Sequence, residues 1–182
     1  VAFVGGLMVL KFKAYVAARF SAWGHVWEFA DEMGYQQTRT MSAASSGGLI
    51  GVGAGDGWLK TIPASETDLV FGFITEEWGL IIAVLAIFAI VTLSLFAIRS
   101  IWGGRSTFYT IAACSAMSLF IFQTMLNVFG SVDLFPLTGV TFPFLSNGGT
   151  SMVASWGLLA FLKASDTRAS ASIAVSNEEA IS

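Results

Sequence analysis

The chain has 182 residues, 55% of them hydrophobic and only 12% charged, with a formal net charge of −3. Soluble domains run nearer a quarter charged, so this is the composition of a membrane protein. So small a net charge, with the basic residues scattered, excludes nucleic-acid binding; one histidine, His25, cannot build a histidine-rich metal site, and one cysteine, Cys114, allows no intrachain disulfide.

In chain order, residues 1–11 read as the end of a truncated transmembrane helix. The chain begins at Val1 inside an apolar run, without the basic flank and small-residue cleavage site of a signal peptide, and is expected to be the C-terminal piece of a longer protein. Residues 12–67 read as an extracytoplasmic loop with short amphipathic helices. Its Trp23, Trp27, Tyr35 and Trp58 suit a membrane interface, and "SAWGHVWEFADEMG" predicts a short helix with Trp23, Val26, Trp27 and Ala30 on one face. "MSAASSGGLIGVGAGDGWLK" carries glycines at 47, 48, 51, 53, 55 and 57. It lacks the G-x-G-x-x-G step and a preceding strand, so it is not a dinucleotide fingerprint. Those glycines let backbone pack closely or approach a ligand, and Asp56 reads as a turn residue.

Transmembrane helices are expected over 68–98, where Trp78 to Ile98 is uncharged, and over 106–132, with a cytoplasmic loop over 99–105. Residues 133–146 hold Pro136 and Pro143 and read as an extracytoplasmic, re-entrant Pro/Gly loop, a backbone tolerated near lipid only against protein or a wet cavity. A last transmembrane helix is expected over 147–164, with Ser146 placed to cap it, and a disordered cytoplasmic tail over 165–182. The fold class is therefore an all-α polytopic membrane protein. Arg99, Arg105, Lys163 and Arg168 flank the helices on one side, whereas the Pro/Gly loop has only Asp133, which puts the arginines in the cytoplasm. Lys11, Lys13, Arg19, Arg39 and Lys60 run against that rule, but they fall in a long loop, where it is obeyed poorly.

This orientation puts Glu66, Asp68, Glu76 and Glu77 at the outer mouth of a hydrocarbon segment. Carboxylates there are costly to keep ionised and tend to be paired, wetted or functional. Glu76 and Glu77 point about 100° apart on a helix, so one of them should face a neighbouring helix or a polar cavity. Asp68 stands where either a helix N-cap or a functional acid would stand. Gln123 and Asn127, four residues apart, are placed to hydrogen-bond a neighbouring helix.

Three stretches, "GYQQTRTMSAASSGGLIGVGAG", "IPASETDLVFGFITEEWGL" and "FPLTGVTFPFLSNGGTS", occur in an order and spacing that resemble the SEDS family, the FtsW, RodA and SpoVE proteins of bacterial division, elongation and sporulation. The resemblance covers nearly the whole chain. It implies a multi-pass protein of the bacterial cytoplasmic membrane that polymerises lipid II into glycan strands at the outer face, beside a class B penicillin-binding protein. The family's essential acid in "P-E-x-H-T-D-F" falls on Asp68, with Pro63 and Thr67 matching and Glu66 in place of the usual histidine. "G-E-E-x-G" appears as Thr75, Glu76, Glu77, Trp78 and Gly79. The motif usually written "S-Y-G-G-S" reads Ser146, Asn147, Gly148, Gly149 and Thr150, so an aromatic has become Asn147. Gln36 matches the glutamine of "G-Y-Q", and Lys60 sits where members place a basic residue.

Glycan polymerisation joins a sugar hydroxyl to an anomeric carbon and expels a lipid pyrophosphate. The resemblance makes Asp68 the general base that takes the hydroxyl proton. Lys60, Arg39 or a divalent cation such as Mg or Mn would meet the leaving pyrophosphate. Glu66, Gln36, Thr138, Thr141 and Ser146 complete the expected substrate-binding set, with no protein metal site among them. Two other readings stay open: a flippase or transporter for a lipid-linked precursor, which would use Glu76 or Glu77 in a midplane cavity, and a non-catalytic scaffold for the penicillin-binding protein.

Overall fold

The computed structural model describes residues 19–102 and 107–164. The expected helix end over 1–11, Arg105 and the tail over 165–182 lie outside the described residues. The described chain is helical and without strands: α1 is Tyr35–Gly47, a 3-10 turn covers Leu59–Thr61, α2 is Val70–Trp102, α3 is Thr107–Ser131, and α4 runs over 149–164.

α2 and α3 are long and apolar enough to cross a membrane, and only 17% of the most apolar window of α2 is buried. Ile81, Ile82, Leu85, Phe88 and Phe96 turn outward, the reverse of a soluble core helix. The few hydroxyls fold back on their own helices: Ser94 donates to the Ile90 carbonyl at 2.8 Å and Thr124 to that of Phe120 at 2.8 Å, as an apolar surround requires. α2 and α3 run antiparallel, since Asn127 near the end of α3 bonds Asp68 just before α2. Met117 and Phe120 of α3 pack with Val70 and Ile90 of α2, Phe142 and Leu162 into one core; Ala43, Leu59, Ile62, Leu69 and Leu137 form a second beneath the loops.

The stretch expected as one continuous span is broken. Gly79, at φ 86 and ψ 164, interrupts the helical backbone of α2. A break strands carbonyls on one side and amides on the other. The glycine-rich segment answers both sets. Val52 and Gly53 donate their amides to the carbonyls of Glu76 (2.9 Å) and Glu77 (3.1 Å), while Leu80 and Ile81 donate to those of Gly48 (3.0 Å) and Leu49 (3.3 Å). So close an approach needs bare backbone: a Cβ at Gly79 would lie 2.3 Å from the Leu49 carbonyl oxygen, and one at Gly51 2.3 Å from that of Glu77.

The outer segment also departs from expectation. Residues 19–22 are helical but 23–34 form turns, with Gly24 at φ 78, so the amphipathic helix does not form. Val26 is buried while Trp23 and Trp27 are exposed; Trp23 Nε1 donates to the Leu134 carbonyl at 3.1 Å, docking the segment on the Pro/Gly loop. α1 runs through serines and alanines that carry little hydrophobic periodicity. Thr40 and Ser45 bond back to the carbonyls of Gln36 and Met41, and small side chains let α1 approach α2 until a Cβ at Gly72 would meet Thr40 Cγ2 at 2.1 Å.

Candidate active site

The segment Pro63 to Leu69 is a tight turn folded around one carbonyl. Ala64, held left-handed at φ 64, accepts the amides of Thr67, Asp68 and Leu69 on its oxygen at 3.2, 2.9 and 3.3 Å. Four further carbonyls of this turn are each taken by a donor from elsewhere. Gln36 Nε2 of α1 reaches the Pro63 oxygen at 3.1 Å, and Asn127 Nδ2 of α3 reaches that of Asp68 at 2.9 Å. From the Pro/Gly loop, Ser146 Oγ donates to the Thr67 oxygen at 2.6 Å and the Asn147 amide to the Glu66 oxygen at 2.8 Å. Three elements thus converge on one turn and fix its backbone.

What they fix is Asp68. Its carboxylate is half-buried, and Oδ2 lies against Gly139, where a Cβ would come within 3.0 Å. Gly139 itself sits at φ 72, a conformation L side chains resist. No described residue hydrogen-bonds the Asp68 carboxylate, and no amide at the start of α2 donates to it, so it is not acting as an N-cap. A carboxylate on an immobilised backbone with its lone pairs free has the chemistry of a base awaiting a donor.

The other sequence-derived residues divide into two groups. Gln36, Glu66 and Ser146 join the Asp68 turn, but Gln36 and Ser146 do so as backbone clamps. Ser146 also receives the Phe142 amide at 2.7 Å and does not cap α4, which starts at 149. Glu66 is exposed and accepts Asn147 Nδ2 at 2.9 Å. Thr141 pairs with Ser151 at the first turn of α4, their oxygens 2.6 Å apart, and Thr138 is exposed next to Gly139. Lys60 and Arg39 stay with their own segments: Lys60 donates to the Gly55 carbonyl, and Arg39 lies over the Tyr35 ring, 5.3 Å from its centroid.

The paired glutamates have separate fates. Glu76 is fully buried, and its two oxygens accept the amides of Trp58 (2.9 Å) and Leu59 (3.0 Å), so the carboxylate caps the 3-10 turn. Glu77 is buried beside Gly57, whose Cβ would meet Glu77 Cγ at 2.9 Å. Among the described residues, no three carboxylate, histidine or thiol side chains gather as a metal site.

Sequence reasoning did not assign Asn127 to the site. It is 2% exposed, and besides Asp68 it bonds the Val140 carbonyl at 2.8 Å and accepts the Phe71 amide at 3.4 Å. The available signal was the pair of amide side chains, Gln123 and Asn127, in a largely apolar helix. Gly139 was legible only as part of a glycine- and proline-rich stretch. An open apolar groove of about 500 Å³ lies between the end of α1 and α2, lined by Met41, Ala44, Leu49, Phe71, Leu80 and Val132 among others; none of residues 63–69 lines it.

The family described as "Cell cycle protein", that of FtsW, RodA and SpoVE, matches residues 1–170. Peptidoglycan glycosyltransferase RodA of Mycobacterium tuberculosis is 33% identical over 163 residues, covering 88% of this chain and 34% of that protein. A probable peptidoglycan glycosyltransferase FtsW of Bacillus subtilis is 35% identical over 163 residues, covering 83% of this chain and 40% of that protein. Stage V sporulation protein E of Bacillus subtilis is 31% identical over 140 residues, 76% of this chain and 38% of that protein. The chain therefore spans between about a third and two-fifths of the length of these relatives. With the family match extending over nearly all of it, the chain belongs to the FtsW/RodA/SpoVE family.

Proposed function

We propose that the protein to which this chain belongs is a peptidoglycan glycosyltransferase that polymerises lipid II into glycan strands at the outer face of the bacterial cytoplasmic membrane, with Asp68 as general base. The observation that carries this is the Asp68 carboxylate itself: half-buried, without a hydrogen bond from any described residue, and set on a turn whose carbonyls are held from three elements. The names of the relatives supply the reaction class.

The acceptor sugar's hydroxyl approaches Asp68 from the side not closed by Gly139 and gives up its proton as its oxygen attacks the anomeric carbon of the donor, and the pyrophosphate-linked lipid leaves. Preorganisation of the turn keeps the base from spending reaction energy on its own ordering. The apolar groove lined by Met41, Leu49, Phe71 and Leu80 suits part of the isoprenoid chain. Lys60 and Arg39, both exposed, would have to leave Gly55 and Tyr35 to meet the pyrophosphate. A divalent cation, if used, would arrive on the pyrophosphate, its shell completed by phosphate, water and one or two carboxylates. A class B penicillin-binding protein is the proposed partner that cross-links the product.

A transporter using Glu76 is less well supported, because both its oxygens are committed to amides of the 3-10 turn. The test is polymerisation of purified lipid II by the full-length protein with its partner, comparing wild type with Asp68→Asn. General-base removal should lower the rate at least about a hundredfold. Equal polymer from both sinks the assignment of Asp68; no polymer from either favours transport or scaffolding.

A further inference from the structure

Glu66 and Asn147 are 81 residues apart in sequence and in direct contact in space. Asn147 meets Glu66 twice: its side-chain amide donates to Glu66 Oε2 at 2.9 Å and its backbone amide to the Glu66 carbonyl at 2.8 Å. The adjoining Ser146 bonds the adjoining Thr67 carbonyl at 2.6 Å. These three bonds fall on the two residues immediately before Asp68. On the other side of Asp68 its backbone is held by the buried Asn127. Of the two holds, the one at Glu66 is exposed and carries its side-chain bond in solvent, so it is the one that can open without unpacking a core.

We infer that Glu66 and Asn147 form a latch that positions Asp68, Asn147 acting on the base through Glu66 and touching no substrate itself. The chemistry needs an acceptor at 66 and an amide donor at 147, and needs them together. With an acceptor at 66 but no amide side chain at 147, only the backbone bond from residue 147 to the Glu66 carbonyl remains; with the amide but no acceptor, the side-chain bond has nothing to close on. The inference rests on Asp68 being the base, but the latch itself is a structural contact with its own readout.

The test uses the full-length protein with its partner and purified lipid II, and the variants Glu66→Ala, Asn147→Ala, the double variant and Glu66→Gln. Loss of one hydrogen bond corresponds to about a fivefold effect. Each single alanine variant is expected to lower kcat by about that factor with KM within about twofold, and the double variant to be no worse than the poorer single one. Glu66→Gln, which keeps an acceptor oxygen, should fall less than Glu66→Ala. In parallel, hydrogen exchange at the Thr67, Asp68 and Leu69 amides should quicken in Asn147→Ala. Additive losses, a Glu66→Gln variant as poor as Glu66→Ala, or unchanged exchange would each overturn the latch. If Asp68→Asn retains full activity, the base assignment fails instead, and the exchange measurement still decides whether the latch exists.

Discussion

The side-chain amide of Asn127 holds the backbone carbonyl of Asp68 at 2.9 Å across 59 residues of sequence, and its second hydrogen goes to the Val140 carbonyl at 2.8 Å. One buried side chain thereby ties α3, the start of α2 and the Pro/Gly loop together. Asn127→Leu keeps the volume but orphans two carbonyls and the Phe71 amide. It should destabilise the folded protein by about 2 kcal/mol or more and lower polymerisation in the fraction that remains folded. Denaturant unfolding in detergent checks the first; a loss below about 0.5 kcal/mol would mean that water replaces the amide.

The break at Gly79 predicts a severe and local defect. Gly79→Ala places a Cβ 2.3 Å from the Leu49 carbonyl oxygen at a backbone φ of 86, so the segment 48–53 has to move away from α2. Four backbone bonds are then at risk. Limited proteolysis should cut within 48–57 in the variant and spare the parent; identical digestion patterns would show that the break closes without its glycine.

Glu76 tests whether a buried carboxylate in this membrane protein is architectural. Glu76→Gln retains one acceptor oxygen but turns an amide NH2 toward the second of the Trp58 and Leu59 amides. The expected cost is about 2 kcal/mol of stability, with kcat per folded molecule close to that of the parent. Full stability with abolished activity would move Glu76 into the chemistry and revive the transport reading.

Gly139 bears on the proposed base, Asp68. A methyl group in Gly139→Ala would lie 3.0 Å from Asp68 Oδ2 and strain a φ of 72, displacing the carboxylate from its place. Misplacement of a reacting group by about 1 Å costs up to about a hundredfold, so kcat should fall by at least about tenfold while lipid II still binds. A binding measurement run beside the kinetics separates this from simple loss of the site, and an unaltered kcat would show that Asp68 does not need that wall.

By itself, the sequence determined the membrane composition, a long apolar helix expected over 106–132 and found over 107–131, the placing of Asp68 at the head of an apolar segment, and the family, because these follow from hydrophobicity summed along the chain and from short motifs. It also suggested that Asn127 bonds a neighbouring helix, which it does. The break at Gly79 was not legible, because the apolar run on either side of it reads like any other helix. Nor was α1, whose serines and alanines give little periodicity, nor the fate of Glu76, whose partners are 17 and 18 residues upstream in a loop. The joining of Glu66 to Asn147 and of Thr67 to Ser146 spans 81 and 79 residues. Such bonds exist because a backbone leaving the helix must satisfy its carbonyls wherever water is scarce, and which donor answers depends on what the packed helices bring within 3 Å. Local pattern said where the polar groups are; only the tertiary structure decided which of them are spent on each other and which, like the Asp68 carboxylate, no described residue engages.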